Sequence, residues 1–153
     1  VKLHGAKFWV AGSTDGNSSK GKINWSGITF DPSVTKEQRT ALISVMHHLY
    51  EVERDSFTIT KDARIEWHAG KGSAEALLDG GKIAEMVLRL TPKMSDAPVM
   101  VQNLKFWGSQ SNNGFALIPS KVSAYRAGDR QFEFRDTSGF VTTIEITSKA
   151  QLP

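Results

Sequence analysis

In Glu66-Trp67-His68 an acid and an imidazole stand two residues apart within a segment of strand character. On a strand, positions i and i+2 share a face. The Glu66 carboxylate and the His68 imidazole therefore lie on one side, with Cβ atoms about 7 Å apart, and Trp67 on the other. A pair so placed can serve as acid and base or give two ligands to a metal ion. A third ligand must come from a neighbouring strand, and outside the helix described below the remaining imidazole is His4. The metal reading is thus His68, Glu66 and His4, as a metal-binding protein or a metal-dependent enzyme. The plainer reading is a solvated sheet face with Trp67 in the core. It carries more weight, because two side chains do not close a four-ligand site and the chain contains no Cys.

His47-His48 is the second candidate. Adjacent residues of a helix point about 100° apart, so the two rings do not chelate one ion from a regular helix. A chelating pair would stand at i, i+4. Imidazoles near a helix C-terminus suit the macrodipole, which makes a solvated helix end the simpler reading. The third candidate is the loop Gly108 to Gly114, rich in Ser and Asn, which follows Phe106-Trp107. An aromatic ring beside amides and hydroxyls is how shallow sites hold sugars or other small polar ligands. Trp107, Asn112 and Asn113 are the ligand-binding candidates there, with an ordinary hairpin tip as the alternative. No Gly-rich phosphate loop, Gly-x-Ser-x-Gly elbow or His-Glu-x-x-His helix occurs, so neither a cofactor nor a nucleophile is expected.

The elements that must position these residues begin with one helix. Phe30-Asp31-Pro32 ends an apolar run, and Thr35 with Gln38 three residues on forms a capping box. Leu42, Val45, Met46 and Leu49 then fall on one helical stripe, predicting a helix from about Lys36 to Tyr50. Everything else reads as strand and turn. Strands are expected over 4–11, 23–30, 73–78, 82–90, 99–107, 115–118, 123–126 and 131–135. One long strand is expected over 56–68, with a bulge near Lys61-Asp62. A closing strand over 140–148 should follow a turn at Asp136 to Gly139, burying Phe140, Thr142, Ile144 and Ile146 on one face against Phe132 and Phe134. Loops of Gly, Ser and Asn at 12–21 and 108–114 are hairpin tips. No βαβ alternation is visible. The fold class is therefore mainly β or α+β: an antiparallel sheet or flattened sandwich with one helix packed on it, as a single domain over 1–153.

Composition narrows the class further. At 153 residues, 39% hydrophobic and 23% charged, the chain is long enough for a real core and too apolar for disorder. Nineteen Lys and Arg against 16 Asp and Glu leave a net charge of +3 spread without a patch, which argues against nucleic-acid binding. The absence of Cys removes disulfides and thiolate metal sites but does not distinguish cytoplasm from periplasm. No stretch approaches the roughly 20 apolar residues of a transmembrane helix. The first residue is Val rather than Met, which reads as a processed, trimmed or engineered start and leaves a targeting segment upstream an open question.

The block Gly27 to Leu42 resembles the bacterial family of unknown function numbered 1326. In that family an apolar strand runs into Asp, then a Thr- or Ser-containing turn, then Glu-Gln-Arg and an Ala-Leu pair. The corresponding residues are Phe30-Asp31-Pro32, Val34-Thr35, Glu37-Gln38-Arg39 and Ala41-Leu42. The segment from Tyr125 through Phe132-Glu133-Phe134 and Gly139 to Thr143-Ile144 is similar to its C-terminal hairpin. The resemblance implies a bacterial protein of the envelope or cytoplasm with no established activity. Members commonly carry a Cys-rich N-terminal segment suited to soft metals, which has no counterpart here. The expectation is a non-enzymatic binding or assembly protein, its partner a protein or small molecule. Its first rival is a carrier with an apolar pocket between sheet and helix, lined from Met86-Leu88-Leu90 and Leu42-Met46.

Overall fold

The structure is a computed structural model that describes residues 1–14, 22–49, 53–93, 96–103, 105–106, 109–110 and 114–144. Its strands β1 (Phe8–Thr14) and β2 (Ile23–Phe30) pair antiparallel, and helix α1 (Lys36–Leu49) follows. β3 (Phe57–Ile59) then returns beside β2 in parallel, giving a small sheet of order β1-β2-β3. Next come β4 (Ile65–Gly70), β5 (Ser73–Leu78), β6 (Ala84–Arg89), β7 (Val99–Val101), β8 (Lys105–Phe106), β9 (Ser109–Gln110), β10 (Phe115–Tyr125) and β11 (Phe132–Val141). The large antiparallel sheet has the order β11-β10-β6-β5-β4, with β7 also on β10, while β8 and β9 pair separately. The chain is β-rich with one helix among the described residues.

The helix begins where the capping box predicts. The Gln38 side-chain oxygen accepts the Thr35 amide at 3.0 Å, and the Gln38 amide donates to the Thr35 hydroxyl at 3.3 Å. Leu42 and Met46 are buried; the Leu49 side chain lies outside the described part. They meet Ile28 and Phe30, the residues of one parity on β2, with Phe8 of β1 beside them. The opposite parity faces the large sheet: Trp9, Ala11 and Trp25 pack on Ile65, Leu78, Ala84, Tyr125 and Phe132. Strand alternation thus sorts one short sheet between two partners, and the layers run helix, small sheet, large sheet.

Asp31 ties these layers at the end of β2. One carboxylate oxygen accepts the Ser33 amide at 3.0 Å and the Ser33 hydroxyl at 2.6 Å; the other accepts the Ile65 amide of β4 at 2.8 Å. Arg39 of α1 holds the crossing between the sheets from the other side. Its guanidinium grips Asp62 through two bonds of 2.8 and 2.5 Å and lies 5.1 Å from the Phe30 ring centre.

Several sequence expectations change. The single strand over 56–68 is two strands in different sheets. Asp62 is drawn to Arg39, and the Ala63 amide donates to the Phe30 carbonyl at 3.1 Å, which turns the chain from one layer into the other. Because β2 and β3 flank α1 in parallel, a βαβ unit is present after all. The strands expected over 115–118 and 123–126 are one strand, β10, with a register shift between Ser120 and Val122 against β6. The turn at 136–139 is absent, since β11 runs through it in register with β10. Asp136 takes φ 53°, a left-handed value that Asp tolerates, and this kink opposite Lys121 replaces the turn. Gly139 is a packing residue: a Cβ there would stand 2.6 Å from a Leu88 methyl. Phe140 remains 46% exposed instead of buried, and Ile146 lies outside the described residues.

Candidate functional site

Glu66 and His68 share the face of β4 that their spacing requires, with His68 Nε2 3.9 Å from a Glu66 oxygen. Glu66 also pairs with Arg64, and the His68 side chain is 68% exposed. The same face continues across the large sheet as ion pairs: Arg89 with Glu75 at 3.9 Å, and Arg126 with Glu85 at 2.9 Å and Glu133 at 2.6 Å. The hydrogen bond from Arg126 is the main cause that holds the Glu133 carboxyl below its ordinary range. His4 does not join Glu66 and His68, and among the described residues no three His, Asp or Glu side chains gather as a metal site. Trp67 is 50% exposed, not in the core, because the small sheet covers only the row from Ile65 to Phe132. Trp107, Asn112 and Asn113 lie outside the described residues.

His47 and His48 are exposed and half-buried at the helix end. The His47 ring lies 5.3 Å from the Phe57 ring, and its Nδ1 is 3.4 Å from an Arg54 nitrogen. Burial, then the Arg54 charge, lowers the His47 pKa from the usual imidazole value.

Two concavities lie where the sheets meet. The larger, about 520 Å³, follows the free edge of β1. Met46 of α1 lines it on one side; Met86, Ser123 and Phe132 of the large sheet line it on the other. The Asp31 amide donates to the Lys7 carbonyl, which fixes the antiparallel alternation. Trp9, Ala11 and Ser13 therefore turn their backbone groups toward β2, and Phe8, Val10 and Gly12 turn theirs to the groove. Among the described residues those outward groups have no partner, so the groove has apolar walls and a narrow line of amides and carbonyls. Met86 and Ser123 belong to a cross-strand row that runs through Ala76 to Trp67 at one edge and to Phe134 at the other. Trp67 and Phe134 are both at least half exposed.

The smaller cleft, about 370 Å³, lies between β2, β3 and the turn joining β10 to β11. Its walls carry Ser26, Ser56, Thr29, Thr58 and Thr60 on one side and Tyr125 with Ala127, Gly128, Asp129 and Arg130 on the other. The hydroxyls of Thr29 and Thr60 lie 2.5 Å apart. Trp25 and Tyr125 have ring centres 6.1 Å apart, and the Arg130 guanidinium stands 5.7 Å from the Trp25 ring centre.

The pocket expected from Leu42, Met46, Met86, Leu88 and Leu90 is not formed by that set: Met46 and Met86 line the larger groove, while Leu42 packs with Ile28 and Phe30, and Leu88 and Leu90 with Ala74 and Ile118. Sequence reasoning missed Trp9 and Phe132 in the groove, and Trp25, Tyr125 and Arg130 in the cleft. Strand parity could have shown that Trp9 and Trp25 share one face; which strands lie opposite is a matter of long-range pairing. No family model, no curated protein and no solved structure matches this chain.

Proposed function

We propose that the chain is a binding protein whose ligand is a small, largely apolar molecule with one hydrogen-bonding group, seated in the groove along β1. The observation that supports this is the meeting of Met46, Phe8, Met86 and Phe132 around about 520 Å³. That volume falls within the usual range of small-molecule sites, about 300–1,000 Å³. Methionines suit such a role, since an unbranched thioether side chain adapts to irregular ligands. The unpaired edge of β1 supplies the polar contact, since its outward amides and carbonyls stand open to a ligand group that donates or accepts.

The experiment is titration with N-phenyl-1-naphthylamine, which has an apolar body and one N–H, followed by its own fluorescence and by the intrinsic tryptophan fluorescence, to which Trp9 of the groove contributes. Saturable one-to-one binding is expected in the wild type. Met86→Glu and Ser123→Phe should each weaken it about tenfold or more, by charging one wall or by filling the space. Binding that is absent, or equal in both folded variants, would exclude the groove as the site.

A further inference from the structure

The cleft between β3 and the β10–β11 turn differs in character from the groove, and four features of it point to a second ligand. Tyr125 lines it, and although the residue is only 6% exposed its hydroxyl reaches solvent and makes no hydrogen bond among the described residues. An accessible phenolic hydroxyl at the wall of a cleft is open to a ligand. Lys61 and Arg130 stand on opposite walls, and neither forms an ion pair with a described carboxylate. The Arg130 guanidinium stands 5.7 Å from the Trp25 ring centre, within cation–π range, and its N–H donors have no partner among the described residues and are available for oxygen atoms. Finally, the wall facing Arg130 presents hydroxyls from Ser and Thr, and the Asp129 carboxylate lines the cleft beside Arg130.

From this juxtaposition we infer that the cleft is a binding site for a small polyhydroxylated anion, a sugar bearing one carboxylate or phosphate. The acid group sits between Lys61 and Arg130. The sugar hydroxyls exchange hydrogen bonds with Thr58, Asp129 and the Tyr125 hydroxyl. A bare anion leaves Asp129 facing negative charge, and a neutral sugar leaves both cations without a counter-charge. Each half of the ligand therefore answers a feature that the other does not. The volume of about 370 Å³ lies at the small end for ligand sites and suits a single ring. Burial raises the Tyr125 pKa, which keeps its hydroxyl protonated and able to donate.

The test is calorimetric titration of the intact protein with glucuronate, glucose 6-phosphate, glucose and inorganic phosphate. Glucuronate or glucose 6-phosphate should bind with one-to-one stoichiometry, and the stronger of the two tells whether carboxylate or phosphate is preferred. Glucose and inorganic phosphate should each bind at least about tenfold more weakly, as each lacks one set of partners. Lys61→Gln and Arg130→Gln, both at exposed positions, should weaken the anionic sugar about tenfold or more. Tyr125→Phe removes only the hydroxyl and should weaken it too, with N-phenyl-1-naphthylamine binding in the groove unchanged. Equal affinity for glucose and glucuronate, no binding of either acid at millimolar concentration, or full affinity in the folded Lys61→Gln and Arg130→Gln variants would overturn the inference.

Discussion

Asp31 is the residue on which the connection between layers turns. Partial burial works against its charge. The Ile65 amide, the Ser33 hydroxyl and amide and the Lys7 charge together outweigh that cost, so its pKa lies below the ordinary carboxylate value. Asp31→Ala strands the Ile65 amide at the junction and frees the Ser33 turn. The expected loss is about 2–3 kcal/mol of unfolding free energy, read as a lower urea midpoint. His47 carries the opposite sign of charge and a different pH window. Its folded pKa is depressed, first by burial and then by Arg54, so the unfolded chain binds a proton more readily. Its contribution is complete above the unfolded imidazole value of about 6.5 and declines as pH falls below it. The wild type should therefore lose more stability than His47→Gln between neutral and mildly acid pH. Urea melts of both proteins at two pH values measure this, and equal losses would show that His47 titrates freely.

At the scale of elements, β11 shows how packing overrides a turn signal. Asp136-Thr137-Ser138-Gly139 has turn composition, yet β10 pairs with it throughout, and Gly139 lies where Leu88 leaves no space for a Cβ. Gly139→Val should cost about 1–3 kcal/mol by overpacking. Phe140→Ser, at the half-exposed neighbouring position, should change a thermal melt little. A Gly139→Val protein as stable as wild type would mean that β11 shifts freely against β6. The same element marks what was legible in the sequence. Local signals were enough for α1, whose capping box and apolar stripe lie within one turn of each other, and for the β5–β6 hairpin around Asp79-Gly80-Gly81. The parallel return of β3 was not legible, since it depends on Asp62 meeting Arg39 across 23 residues of sequence. The clefts were less legible again. Trp25 and Tyr125 are a hundred residues apart, and no local pattern links them.

At the scale of the whole molecule, the question is whether the helix-bearing small sheet unfolds with the large sheet or apart from it. A sheet of three strands with one helix covers only one of its own faces. Its other face presents Trp9, Ala11 and Trp25, which are sheltered by Ile65, Leu78, Ala84 and Tyr125. Opening the junction would put all of these in water, at about 25 cal/mol for each Å² of apolar surface exposed. It would also break the Asp31 bond to Ile65, the bond of 3.2 Å from the Lys7 ammonium to the Ile65 carbonyl, and the Ala63 amide bond to Phe30. Opening the junction therefore loses contacts from both layers at once, so one cooperative transition is expected. Tryptophan fluorescence reports mainly the junction and far-ultraviolet circular dichroism reports α1 and the strands; their urea curves should coincide. Both proposed ligands bind across this junction, and neither site survives its opening. A ligand present at one hundred times its dissociation constant should therefore raise the stability of the entire transition by about 2.7 kcal/mol. Two separated curves, with ligand shifting only one of them, would show that the sheets are independent units and that the groove and the cleft each belong to one sheet alone.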